Sequence, residues 1–322
     1  MSKIYKTAAT FESPLGKRPL PLIADPRRVL VTLRLPFSEA EFARLGAHLA
    51  EYPAARLCFD GQHMYDKTKY DLDFLRHFSF ARDLVIGLYG LTNLDGLAHV
   101  KRLQKLRTGF VASSRLSLAP LAACRQLKSL KIDEISKDLE VVAGLARLQD
   151  LELIRVKLPS LELLRKHPAL QSLEIMFGNT TDLSAIPSLP KLRSLALRQV
   201  SGLADLAPVA EARALQCLFL QTLSGVTGLP LLGKLRKLRY VKLDGLKRLT
   251  DLRPLASAPS LEDLWIEDMP HLTPQHFRPL AGHPKLRRIV ADIGSIKKGT
   301  QVEELLGIHD TPALISQFKF RA

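Results

Sequence analysis

The stretches LRYVKLDGL (238–246) and LEDLWIEDM (261–269) can be laid one on the other without a gap. Their apolar residues coincide at the first, fourth, sixth and ninth places: Leu238 with Leu261, Val241 with Leu264, Leu243 with Ile266, Leu246 with Met269. The L-x-x-L-x-L core recurs upstream as Leu127/Leu130/Ile132, Leu148/Leu151/Leu153, Leu170/Leu173/Ile175, Leu192/Leu195/Leu197 and Leu215/Leu218/Leu220. Successive first positions lie 21 to 23 residues apart. Looser copies extend it: Ala54/Leu57/Phe59, Ala81/Leu84/Ile86 and Leu106/Gly109/Val111 before, Leu286/Ile289/Ala291 after. A fixed period of this length means that each copy is one coil, unable to bury its apolar residues except by stacking on its neighbours.

The pattern resembles the leucine-rich repeat family, and the resemblance covers about residues 54–293. The second half of each repeat reads in threes, as in Leu183, Ile186, Leu189, Leu192, or Val226, Leu229, Leu232, Leu235, Leu238. TDLSAIPSLPKL (181–192) and LTDLRPLASAPSL (249–261) look like the internalin-type bacterial subclass. The resemblance implies an α/β solenoid, a leucine-rich repeat horseshoe with a parallel concave β-sheet and short 3₁₀ or α segments on the convex side. A three-residue spacing suits 3₁₀ turns. There is one departure: where the family has an Asn that bonds backbone between coils, this chain has Ile135, Val156, Gly178, Val200, Leu223, Leu246 and Met269.

A solenoid needs covered ends, because an open one exposes apolar core and unpaired strand edge. VLVTLRL (29–35) reads as a first strand; Ser38 and Glu41 then read as a capping box and Phe37–Phe42 as a hydrophobic staple starting a helix. A second helix is expected over about Asp71–Phe80 and another over Thr300–Ile308, followed by TPALISQFKFRA as a closing tail. The expected organisation is an extended arm (1–28), irregular capping coils (29–80), regular repeats (81–296) and a C-terminal cap (297–322).

The chain has 322 residues, 46% of them hydrophobic and 25% charged, the balance of a soluble globular protein. The N-terminus shows no secretory h-region and no run of apolar residues suits a membrane span, so a cytoplasmic location is expected. The three cysteines, Cys58, Cys124 and Cys217, are odd in number and far apart, which fits a reducing compartment. With 47 Lys and Arg against 32 Asp and Glu, the formal charge is +15.

That charge is unevenly spread. Side chains alternate along a strand, so positions 3, 5 and 7 of each repeat should face out of the concave sheet, with position 8 beside them. From Leu127 on, these columns hold ten acids against five bases. They also hold Phe177, Phe219, Tyr240 and Trp265, the sole tryptophan, and they are expected to present these rings outward. The edge flanking the first Leu holds eight bases against Glu262 alone, and GKLRKLRYVK (233–242) is its densest part.

No GxxxxGK[ST], GxSxG, HExxH or CxxC motif is present. His271, His276 and His283 match no metal-ligand spacing, and Asp66, Asp71 and Asp73 lack the order of a calcium loop. Cys217 lies at an outward position without a base beside it in the motif. We therefore expect no catalysis, no metal and no cofactor. The leading expectation is a monomeric scaffold that grips a protein partner through the concave face: Trp265, Tyr240, Phe219, Phe177, Glu174, Arg198, Asp244, Asp263, Glu267 and Asp268. A basic partner, such as a toxin or nuclease in an immunity or regulatory role, suits the acids. One alternative is nucleic-acid or polyanion binding along the rim of Lys191, Arg193, Lys234, Arg236, Lys237, Arg239, Lys285 and Arg287. Another is a secreted bacterial effector that uses the same face on a host protein.

Overall fold

The structure, a computed structural model, describes residues 8–23, 30–61, 68–109, 115–312, 314 and 320. It divides into two compact units, Met1–Gln149 with Ile154–Val156, and Asp150–Leu153 with Lys157–Ala322.

In the first unit six strands follow one another in chain order, each parallel to the last: β1 (Ala8–Glu12), β2 (Leu30–Leu35), β3 (Arg56–Gly61), β4 (Asp83–Gly87), β5 (Lys105–Thr108) and β6 (Ser129–Asp133). The helix α1 (Glu39–Leu49) joins β2 to β3. Its start is as expected: Ser38 and Glu41 form the capping box, and Phe37 meets Phe42 edge-on at 5.6 Å. Gly46 lets α1 touch the next segment, since a Cβ there would lie 2.4 Å from the His77 carbonyl oxygen.

The second unit repeats the plan with β7 (Asp150–Ile154), β8 (Ser172–Met176), β9 (Ser194–Arg198), β10 (Cys217–Gln221), β11 (Tyr240–Asp244), β12 (Asp263–Glu267) and β13 (Arg288–Ala291). The register steps from β8 to β12 without a slip, Leu173 against Leu195, Leu218, Val241 and Leu264 in turn. A single turn, α2 (Arg253–Ala256), and the helix α3 (Ile296–Leu306) belong to this unit.

The leucine columns create this order. In all seven strong copies, positions 1, 4 and 6 are no more than 2% exposed. Each such side chain stabilises the stack by about 1.5–3 kcal/mol when fully buried. The ninth position is buried as well, from Ile135 to Met269, so an apolar ladder does replace the family's Asn. Polar side chains still bond backbone between coils in places: Asn179 Oδ1 accepts the Leu158 N–H at 2.9 Å, Thr180 Oγ1 donates to the Leu158 carbonyl at 2.6 Å, and Thr108 Oγ1 accepts the Asp133 N–H at 3.1 Å.

Several expected boundaries change. Ala8–Glu12, expected within an extended arm, is the edge strand β1, so VLVTLRL supplies the second strand rather than the first. Residues 13–21 then run along α1, held by one face of the helix. The Leu15 N–H donates to Glu41, Arg44 donates to the carbonyls of Gly16 and Arg18, and His48 Nε2 meets the Pro21 carbonyl at 3.0 Å. The helix expected over Asp71–Phe80 is a 3₁₀ segment, Asp73–Phe78, because its buried residues Leu72, Leu75 and Phe78 recur every third place. The C-terminal helix begins at Ile296, capped by Ser295, and stops at Gly307 in the left-handed conformation, earlier than expected at both ends. Val29, Asp66, Val111 and most of the tail expected to close the chain lie outside the described residues. No described helix is long and apolar enough to cross a membrane.

Six of the 3₁₀ segments, and α2, start on a second ladder that the sequence reading passed over; Leu139–Gly144 and Pro274–Leu280 start without it. A polar side chain accepts the N–H two residues on at Asp71, Asn93, Ser117, Ser160, Asp182, Asp205 and Asp251. These are Asx and Ser turns, which set the chain's direction at the start of each segment. Gly228-Leu229-Pro230 takes the corresponding place between β10 and β11 and has neither the acceptor nor the N–H. That coil has no 3₁₀ segment, and its Leu231 is 73% exposed.

Candidate functional site

The strands β8 to β12 place three rows of side chains on the open face of the second unit's sheet. One row runs Ser172, Ser194, Cys217, Tyr240, Asp263; the next Glu174, Ala196, Phe219, Lys242, Trp265; the third Met176, Arg198, Gln221, Asp244, Glu267. The columns are those expected from alternation, but their exposure is not. Phe177 is 45% exposed as foreseen, whereas Tyr240 is 1%, Asp263 5% and Phe219 7% exposed; Trp265 is half-buried. The rings are covered by their neighbours' long side chains, which lie down across the sheet instead of standing up from it.

The central row shows how. The Lys242 ammonium lies 5.2 Å from the centre of the Phe219 ring and 5.1 Å from that of Trp265, and the Arg198 guanidinium is 5.2 Å from Phe219. Two cations and two rings thus alternate across four strands, with each contact worth about 0.5–2 kcal/mol. The Trp265 indole N–H is covered and makes no hydrogen bond, so the ring acts here as an apolar plate facing a cation.

A polar chain crosses the same strands. Glu174 accepts from Arg198 at 3.2 Å, Arg198 Nε donates to Gln221 at 2.7 Å, and Gln221 Nε2 donates to Asp244 at 2.7 Å. Asp244 lies 3.9 Å from Lys242, which bonds Glu267. Asp263 accepts both arms of Arg288, one at 2.9 Å. Burial raises the Asp244 carboxyl above its ordinary range despite Lys242, and burial raises the Tyr240 phenol. The acids counted in sequence are therefore largely neutralised within the face. Asp268 and Asp292 are exposed and form no side-chain hydrogen bond or ion pair among the described residues.

The first unit carries a similar arrangement that the sequence reading did not single out. Asp83 sits between Arg56 at 3.1 Å and Arg107 at 3.3 Å, and Arg155 joins Asp133 and Glu134. Arg56 and Asp83 stood in the same columns of the looser upstream repeats, but Arg107 did not: Leu106 pairs with Leu84 and Leu130, so the copy read as Leu106/Gly109/Val111 is Leu103/Leu106/Thr108.

The basic rim divides in two. Lys234 pairs with Glu211, and Arg239 pairs with Glu262 at 3.3 Å with both side chains mostly covered. These two are structural. Among the described residues Lys191, Arg193, Arg236, Lys237 and Arg287 form no ion pair, and the Lys285 ammonium has only a 3.5 Å contact with Ser260.

Other candidates for chemistry are occupied. His271 and His283 place Nε2 at 2.8 and 2.9 Å from the carbonyls of Leu249 and Ala258, and His276 bonds Thr273. Cys217, expected to face outward, is buried, and burial pushes its thiol up to about 12. Among the described residues no group of three or more His, Cys, Asp or Glu could hold a metal ion.

No family model and no curated protein matches the sequence. Solved structures match in fold. An internalin (inlF) of Listeria monocytogenes is 16% identical, covering 85% of this chain and 83% of that one, with a TM-score of 0.55. TLR13, in a complex with ssRNA13, is 17% identical over 82% of this chain and 36% of that one, TM-score 0.50. The leucine-rich repeat domain of the type III effector XopL is 26% identical over 77% and 78%, TM-score 0.45.

Proposed function

We propose that this leucine-rich repeat solenoid is a non-catalytic scaffold that binds a protein partner through the open face of β8–β12. What supports the reading is the Phe219–Lys242–Trp265 row, locked between Arg198 and Glu267. Side chains already fixed in place lose little freedom when a partner docks, so less of the contact energy is lost to ordering. The partner meets the exposed Phe177 with an apolar group and Asp268 and Asp292 with basic ones. A basic protein, such as a toxin or nuclease held in an immunity or regulatory complex, has that chemistry.

The test is capture of partners from a lysate of the native organism, after nuclease treatment, by the wild type and by Phe177→Ser/Asp268→Lys. Both residues are exposed and neither pairs with another side chain, so the double variant keeps the core and the polar chain. A defined protein held by the wild type and lost by at least tenfold from the variant is the expected result. A protein retained equally by both, with unchanged circular dichroism, sinks the assignment to this face.

A further inference from the structure

We infer that the edge of the second unit where the chain enters its strands is a separate binding surface for the phosphodiester backbone of a nucleic acid. The turns entering β9 to β13 contain two carboxylates, Glu211 and Glu262, and both are consumed by Lys234 and Arg239. Besides Arg213 at β10 and Arg278 in the segment before β13, six cations remain in three pairs: Lys191 and Arg193 at β9, Arg236 and Lys237 at β11, Lys285 and Arg287 at β13. Arg193 is half-exposed and the other five are exposed, and none has an ion pair among the described residues. An uncompensated cation in water is costless, but six of them beside an edge stripped of free acid form a field of one sign.

Their spacing fits a linear polyanion. The three cationic pairs sit at alternate coils, so with strands ~4.8 Å apart they recur about every 10 Å, over roughly 19 Å in all. They form a line, as the phosphates of a strand do. An anionic lipid surface is the poorer match, because Leu189, Leu215, Leu235, Leu238 and Leu286 of these turns are buried, which leaves Leu231 as the one fully exposed leucine to insert. The turns carry no exposed aromatic ring for a base to stack on, so recognition is by charge and not by sequence.

The experiment is fluorescence anisotropy of the full chain with labelled oligonucleotides of about 20 nucleotides, single-stranded and duplex, across a salt series. Six phosphate contacts give a slope of log K against log salt of about −4 for a single strand and about −5 for a duplex. Arg236→Ala/Lys237→Ala should flatten the single-strand slope by about 1.4 and weaken binding about tenfold or more at low salt. Arg236→Lys/Lys237→Arg should leave both unchanged, which separates charge from misfolding. The inference is overturned by absence of oligonucleotide binding at about 25 mM salt, where phosphate contacts are strongest. It is equally overturned by slopes that the alanine pairs do not alter, or by tight binding to phosphatidylserine vesicles without binding to oligonucleotides. Phe177→Ser should bind oligonucleotides as the wild type does, so this result and the protein-capture result stand or fall separately.

Discussion

The residue that closes each strand from β6 to β12 is held in the left-handed region. Glu134, Arg155, Phe177, Gln199, Thr222, Gly245 and Asp268 all have φ between 48° and 62°. Only one of the seven is glycine, although the conformation costs an L residue about 1 kcal/mol or more. Thr222→Gly is therefore expected to raise stability by about 1 kcal/mol, read from the urea midpoint. Gly245→Ala should lower it by about 1–2 kcal/mol, since its new Cβ would also meet Thr222 Oγ1 at 3.1 Å. Titration offers two further checks. The Glu41 carboxylate, which accepts the N–H groups of Leu15 and Ser38, is held down at about 2 from an ordinary 4.5. A lowered acid contributes stability above its unfolded value and loses it as pH falls, so acid unfolding should draw on this group between about pH 4.5 and 2. Glu41→Gln should flatten the stability profile in that window. Asp244 has the opposite sign: raised by burial, it binds its proton more tightly when folded, and the fold loses stability as pH rises through the folded value. Asp244→Asn, which can still accept from Gln221, should hold its stability at neutral pH; a clear loss there would mean that the charge on Asp244 is needed.

At the scale of the element, the coil was legible and the turn was not. Every third-place and L-x-x-L-x-L position could be read because burial depends only on which face a side chain takes. The L-x-x-L-x-L positions from Leu127 through Ile266 obeyed it without exception, while Leu229 of the third-place series is only half-buried. The Asx ladder escaped because its acceptors are of three kinds, Asp, Asn and Ser, and their common feature is a bond to the backbone two residues on. That bond makes a prediction for the coil between β10 and β11, which lacks both the bond and a 3₁₀ segment. Gly228→Asp alone should change stability little, because Pro230 has no N–H to donate. Gly228→Asp/Pro230→Arg, which copies Asp251-Leu252-Arg253, should gain about 0.5–1 kcal/mol. A gain from the single substitution would show that the ladder is not the reason this coil lacks its 3₁₀ segment. The face was half legible for a related reason. Alternation assigned Phe219 and Asp263 to the right side of the sheet, but their cover comes from Arg198, Lys242 and Arg288, residues 21 to 25 places away in sequence. Which way a long side chain leans is settled by partners on the next coil, and a single repeat holds no information about them.

Across the molecule, hydrogen-bonded neighbours in each sheet are neighbours in the chain, so the core and the surface are constrained very differently. The inward columns accept almost any aliphatic residue, while the outward rows depend on which coil follows which: Lys242 has its place because Phe219 precedes it by one coil and Trp265 follows by one. Removing the single coil Leu238–Ser260 would leave every leucine column continuous and bring Phe219 level with Trp265, with no cation between them. Such a shortened chain should still fold, with a far-ultraviolet spectrum close to the parent's. A lineage built this way can lengthen, shorten or shuffle its coils like printed lines of type, keeping the binding of the book while changing what it says.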